Sequence, residues 1–189
     1  MEDLNVALIL LGAIVTFIYL RYNQPYRPRE NGESPARRSS FVGFDIPDPK
    51  NLFILQYEQI NQHLRIRESI NVVTGALFLS ASILLFSSTV FFQQGMSPLF
   101  VYLFVFSSVV LYSIWLLALN LPTNIISSRD LYQLRQMEKE TEYGLTMHTS
   151  LWENMKNTTW DKYFKRQTWI LPFWVLVAAA IATVHGVVV

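Results

Sequence analysis

The chain contains no cysteine. Disulfides, thiolate nucleophiles, cysteine zinc sites and iron–sulfur clusters are excluded by that fact alone. Charge is the next scarcity: Asp, Glu, Lys and Arg make up 15% of the 189 residues, against about 25% in soluble domains. Net charge is only +1, so no strong field of either sign points to nucleic acid. The 7 glycines fall into no phosphate-binding loop and no nucleophile-elbow pattern.

The missing charge is concentrated rather than diluted. Leu4–Leu20, Ser69–Leu121 and Gln167–Val189 hold no Asp, Glu, Lys or Arg. A span of the hydrocarbon core needs about 20 apolar residues, and the middle run is far longer than that. It is interrupted at Gln93-Gln94-Gly95-Met96-Ser97-Pro98, where amides, a glycine and a proline mark a tight turn. The run therefore reads as an antiparallel hairpin of helices over Ser69–Phe92 and Pro98–Leu121, with Pro98 in the first turn, where its missing N–H costs nothing. The expected fold is an all-α integral membrane protein with four transmembrane helices and a cytoplasmic helical extension. The acidic start Met1-Glu2-Asp3 and the absence of a small-residue cleavage site favour an uncleaved anchor over a secretory signal.

Orientation comes from the basic residues. Eight lie between Arg21 and Arg67 and seven between Arg129 and Arg166, which is all 15. With four spans these segments share one side, and the positive-inside rule makes that side cytoplasmic, with both termini outside. The domain reading is an anchor over residues 1–21, a Pro-rich linker over 22–49, a long amphipathic helix continuing into the hairpin over 50–121, a cytoplasmic helical segment over 122–166 and a last span over 167–189. In the linker, Arg37-Arg38-Ser39-Ser40 is compatible with a basophilic kinase or an anionic-lipid contact, but basic residues that set topology explain it as well.

Phe53, Tyr57, Ile60 and Leu64 recur at helical spacing before the second span, an apolar stripe that something must cover. Leu134 and Trp152, in the second cytoplasmic segment, are the expected cover, within the chain or from another copy. Pro122 is expected to separate the third span from that segment or to kink it, with Asn124, Ser127 and Ser128 as caps near the new start. Inside the second span Asn71, Gly75, Ser82 and Thr89 share one face. That face suits close helix packing, with hydroxyls bonding across the contact, or the lining of a pore in an oligomer. In the last span Ala178, Ala182 and Gly186 form small-xxx-small steps, read as a packing face. Aromatics near the span ends, including Tyr19, Tyr112, Trp115, Trp169 and Trp174, fit interface anchoring or packing.

Chemistry is sparse. His63, His148 and His185 have no recognised metal spacing, and among them only His185 falls within an expected span, so no proton path is marked out. No cofactor and no metal are expected, and an enzyme is not. The leading functional expectation is helix-mediated assembly, as a homo-oligomer or an accessory subunit of a membrane complex. An oligomeric pore along the Asn71–Thr89 face and a membrane-bound cofactor carrier or enzyme subunit are the alternatives. The expected partners are membrane lipids and other membrane subunits. Over Leu52–Glu140, the order of amphipathic helix, Ser/Thr-rich hairpin and charged helix resembles the layout of SLATT-domain proteins. Those are two-span membrane modules of bacteria and eukaryotes, some suspected of forming pores in defence systems. The first and fourth spans depart from that two-span layout.

Overall fold

A computed structural model describes residues 2–23, 49–92, 95, 97–140, 147–149 and 168–186. Arg37 and Arg38 of the Pro-rich linker, and Trp152, lie outside the described residues. Regular structure among the described residues is helical throughout. Helix α1 runs over Glu2–Tyr22, α2 over Pro49–Phe92, α3 over Pro98–Ile114, α4 over Leu121–Glu140 and α5 over Ile170–Gly186, with a π-helical segment at Trp115–Asn120 joining α3 to α4.

Three helical stretches are long and apolar enough to cross a membrane, Asp3–Tyr22, Asn51–Phe91 and Pro98–Lys139; Ile170–Gly186 is apolar but shorter. The exterior agrees with a lipid environment. Phe17 is 70% exposed, Leu84 68%, Phe91 83% and Leu171 68%, and outward apolar side chains in such number mark a membrane or an interface rather than a surface facing water.

Helix α2 is unbroken over 44 residues, roughly 66 Å and about twice the hydrocarbon thickness. No proline interrupts it beyond Pro49. The chain then reverses around Gly95 and restarts at Ser97, whose carbonyl accepts from the amides of Phe100 and Val101, with Pro98 at the first helical position. Helices α2 and α3 pack on each other as a hairpin, and α5 lies against both α3 and α1.

Of the two outcomes expected at Pro122, separation of the third span from the charged segment is corrected: the helix runs on through the proline. Proline lacks an N–H and its ring collides with the carbonyl four residues earlier. Here the preceding turn is widened to π geometry, and the Leu121 amide bonds to the Leu116 carbonyl, five residues back. The wide turn absorbs the proline without ending the helix. Asn124, Ser127 and Ser128 consequently lie inside α4 and cap nothing; the Ser128 hydroxyl donates to the Ile125 carbonyl.

The main core joins α1, α3, the π segment and α5 around fully buried Leu8, Tyr19, Tyr112, Trp115 and Phe173. Rings chain through it. Tyr112 lies 5.3 Å from Trp115 and 6.0 Å from Phe173, while Trp115 meets Trp169 edge-on at 4.6 Å. Each such pair contributes about 0.5–1.5 kcal/mol beyond its burial. Tyr19, Tyr112 and Trp115 are thus packing residues rather than interface anchors, whereas Tyr22 is 63% exposed. A smaller cluster of Tyr57, Leu64 and Leu134 ties the first half of α2 to α4.

Gly75 is where the ring chain meets α2. A Cβ there would lie 2.6 Å from the Trp115 ring and 2.7 Å from the Trp169 ring. Neither ring can retreat without disturbing the other, so Gly75→Ala is expected to cost about 1–3 kcal/mol through overpacking. Gly95→Ala, whose Cβ meets nothing within 4 Å, serves as the control. Thermal unfolding in mild detergent checks both, and equal midpoints for the two variants would show that the aromatic contact is not tight.

Candidate functional site

Polar side chains at membrane depth need partners inside the protein. Four of them, Tyr19, Asn71, Asn120 and Asn124, satisfy one another in a closed ring. The Tyr19 hydroxyl donates to Asn120 Oδ1 at 3.0 Å, and Asn120 Nδ2 donates to Asn71 Oδ1 at 3.2 Å. Asn71 Nδ2 reaches Asn124 Oδ1 at 3.5 Å. Asn124 Nδ2 closes the circuit to the Tyr19 hydroxyl at 3.2 Å and also meets Asn120 Oδ1 at 2.9 Å. The ring joins the end of α1, the middle of α2, the π segment and the start of α4. Tyr19 and Asn120 are fully buried and Asn71 is 9% exposed.

Two further polar ties lie along α2 and α4 in the direction of the basic segments. Arg67 pairs with Asp130, the first charged side chains met on leaving the charge-free stretches toward that end, apart from Glu68 and Arg129. Further out, Glu138 is 6% exposed and collects four donors. The Tyr57 hydroxyl reaches Oε1 at 2.6 Å and the His148 amide at 2.8 Å. The Thr149 amide and hydroxyl both reach Oε2 at 2.6 Å. A carboxylate accepting from so many groups is fully compensated despite its burial. Burial pushes the Glu138 carboxyl up, but the hydrogen bonds from Thr149, Tyr57 and the two amides outweigh it and hold it below the usual carboxylate range. For His148, burial holds the imidazole below its ordinary value; Glu138 opposes that fall and Arg135 and Arg65 add to it.

The structure brings together some of the residues singled out from the sequence and separates others. Asn71 belongs to the ring, and Gly75 lies beneath Trp115 and Trp169. Ser82 and Thr89 are fully buried, yet their hydroxyls donate to the carbonyls of Phe78 and Phe86 on their own helix. Ser108 and Ser113 on α3 do the same. The expectation that these hydroxyls bridge helices is therefore corrected: a buried hydroxyl finds its nearest acceptor one turn back, and its small size is what lets the partner approach. Bridging falls to larger groups, as in Trp115 Nε1 donating to Thr74 Oγ1 at 3.2 Å.

On α5 the buried face is Ile170, Phe173, Leu176, Val177, Ala180 and Val184. Ala178, Ala182 and Gly186 are exposed, so their stripe is not the one packed within the chain. The bundle takes the bulkier face because its core has volume to fill around the rings. Of the cytoplasmic stripe, Tyr57 and Leu64 are buried against Leu134, with Ile60 half-buried beside them. Phe53 is half-buried, and Trp152 lies outside the described residues. His63 and His185 are exposed, His185 Nδ1 standing 2.9 Å from Asn5 Nδ2. Among the described residues no group of acidic or histidine side chains could hold a metal ion.

Sequence reasoning missed Tyr19, Asn120, Asn124 and Glu138 as partners. The signal was present in Asn120-Leu121-Pro122-Thr123-Asn124. Two asparagines bracketing a proline next to an apolar span must either reach water or bond to something. Comparison with known protein families, curated proteins and solved structures finds no match. The resemblance in layout therefore carries no family assignment.

A double-mutant cycle between Tyr19→Phe and Asn120→Leu, read by unfolding in detergent, should give a coupling of about 0.6 kcal/mol or more, up to about 1.7. Strict additivity would mean that the ring is not an energetic unit. The lowered values of Glu138 and His148 also fix a pH dependence. Each contributes stability above its ordinary value, near 6.5 for His148 and 4.5 for Glu138, and loses it as pH falls through the lowered native value. Acidification from about pH 7 to about pH 5 should therefore lower the protection factors of the His148 and Thr149 amides, taken relative to intrinsic exchange at each pH. His148→Gln should abolish that step and leave only a later loss as Glu138 protonates; protection factors unchanged over that range would count against the arrangement.

Proposed function

We propose that this chain is a four-span membrane protein that works by helix-mediated assembly, with a second copy or as an accessory subunit of a membrane complex. In this reading residues 22–67 and 122–166 are cytoplasmic, both termini are outside, and α5 with the residues after it forms the fourth span. The observation that carries the reading is the division of labour between faces. The polar face of α2 is consumed inside the chain, by the ring, by Gly75 against the rings and by back-bonded Ser82 and Thr89. The small-residue stripe Ala178, Ala182 and Gly186 is left outward on α5, and small outward residues let a neighbouring helix approach closely.

The same burial weakens the pore alternative. Asn71, Gly75, Ser82 and Thr89 face other parts of their own chain, so they are not available to line a water path between copies.

Because the chain has no cysteine, introduced ones give a clean test. Ala178→Cys or Ala182→Cys, coupled to a thiol-directed photo-cross-linker in native membranes, should give a cross-linked adduct, of doubled mass for a second copy or of another mass for a different subunit. Ile83→Cys, on the lipid side of α2, should give none. In the same membranes an impermeant thiol reagent should reach Gly95→Cys from outside and Lys139→Cys only after lysis. Absence of any adduct from α5 would remove the assembly reading, and labelling of Lys139→Cys from outside would remove the orientation.

A further inference from the structure

Among the described residues helices α1 and α3 run past each other without packing closely. Helix α1 packs on α5 and on the π segment rather than along α3, and the seam between α1 and α3 stays open. Its inner part is a groove of about 380 Å³, in which Leu11, Ile14 and Ile18 face Val110, Ile114 and Leu117. Ile14 is 56% exposed and Ile114 52%, so the groove opens sideways into the bilayer. Among the described residues Ser113 supplies the only hydroxyl in its wall, and that hydroxyl is tied to the Val109 carbonyl at 2.7 Å. The wall is thus effectively hydrocarbon. The seam continues toward the start of α1 as a second cleft of about 400 Å³, between Ala7 and Tyr102 with Asp3 at its mouth.

The two ends of this seam differ in charge. On α1 the lining positions Leu11, Ile14 and Ile18 lie on one helical stripe, and the next positions on it are Arg21 and Tyr22, both exposed. Side chains lean toward the helix start, so this register sets Arg21 at the end of the groove beyond Ile18. The other mouth carries the carboxylate of Asp3. From Leu4 to Ile18 the seam runs roughly 20 Å, longer than the ~15 Å occupied by the tails of one leaflet.

We propose that the α1–α3 seam is a binding site for an anionic phospholipid, with its phosphate at Arg21 and one acyl chain lying along Ile18, Ile14 and Leu11. Asp3 repels an anionic headgroup at the opposite mouth, so the lipid enters with one orientation. A lipid tail suits the seam better than a partner helix does. Its inner part holds about 380 Å³, room for an acyl chain and not for a helix about 10–12 Å across. The inference rests on membrane residence and is independent of assembly through α5.

The test uses the full chain purified in detergent and exchanged into mixed micelles containing phosphatidylglycerol or phosphatidylcholine with identical dioleoyl tails. Lipid retained per chain is measured by native mass spectrometry. Phosphatidylglycerol should be retained about fivefold over phosphatidylcholine, the weight of one basic side chain facing an anionic headgroup. Arg21→Gln should bring that ratio close to one and Arg21→Lys should preserve most of it. Ile14→Trp, which fills the groove, should reduce retention of both lipids. Equal retention by the unaltered chain, a ratio indifferent to Arg21→Gln, or retention indifferent to Ile14→Trp would each overturn the proposal. Cross-linking at Ala182→Cys reports on assembly separately, so the two readings fail independently.

Discussion

An amide or hydroxyl in hydrocarbon has no water to fall back on, and burying one without a partner costs several kcal/mol. That constraint organises this protein. Three asparagines and a tyrosine at membrane depth would be a liability singly. Placed on α1, α2, the π segment and α4, they become the fastener that holds those elements in one arrangement. The ring requires Asn120 and Asn124 to point the same way across Pro122. A regular helix places residues four apart on one face, but it would set the proline ring against the carbonyl of Ala118. The π turn at Trp115–Asn120 relieves that conflict, so local backbone chemistry and long-range hydrogen bonding are settled by the same few residues.

The aromatic chain depends on the same geometry. Trp115 is the first residue of the widened turn, and its ring lies over Gly75 while its indole N–H donates to Thr74. Gly75 and Asn71 are one turn apart on α2, so the tightest steric contact and the polar ring share a single stretch of that helix. Burial of an aromatic contributes more than any one hydrogen bond here. The ring of amides, however, admits one register, whereas apolar contacts tolerate small slips. Specificity comes from the polar group and most of the stabilisation from the rings.

How much of this can be read from the sequence differs by level. The long charge-free runs, the turn at Gly95 and the unbroken α2 are legible in composition and periodicity, because lipid exposure and helical geometry act residue by residue. The face holding Asn71, Gly75, Ser82 and Thr89 is visible as a face. What it meets is not, since nothing local says that Gly75 lies under tryptophans from two other elements. Pro122 reads as a boundary because its usual effect is local, while its accommodation depends on a change of helix type. Tyr19 reads as an interface or a packing residue, because aromatics near span ends commonly serve as either; that its hydroxyl is claimed by asparagines about a hundred residues away is not visible locally. Glu138 gives no signal, because a carboxylate on an amphipathic helix ordinarily faces water.

The ties between α2 and α4 run antiparallel, in the order Asn71 to Asn124, Arg67 to Asp130 and Tyr57 to Glu138. Their character changes with position, from neutral amides at membrane depth, to an ion pair where charge begins, to a carboxylate clasp beyond it. Each is suited to its surroundings: an exposed ion pair contributes little in water, and an uncompensated charge is costly in lipid. A slide of one helix by a turn would break all three ties at once and would drag Arg67 or Asp130 into the apolar zone. The axial register of the two helices is therefore fixed by the matching of polar groups along their shared length as much as by apolar contact. In the proposed reading the outer parts of α2 and α4, tied in this way, project from the bilayer as one stiff unit.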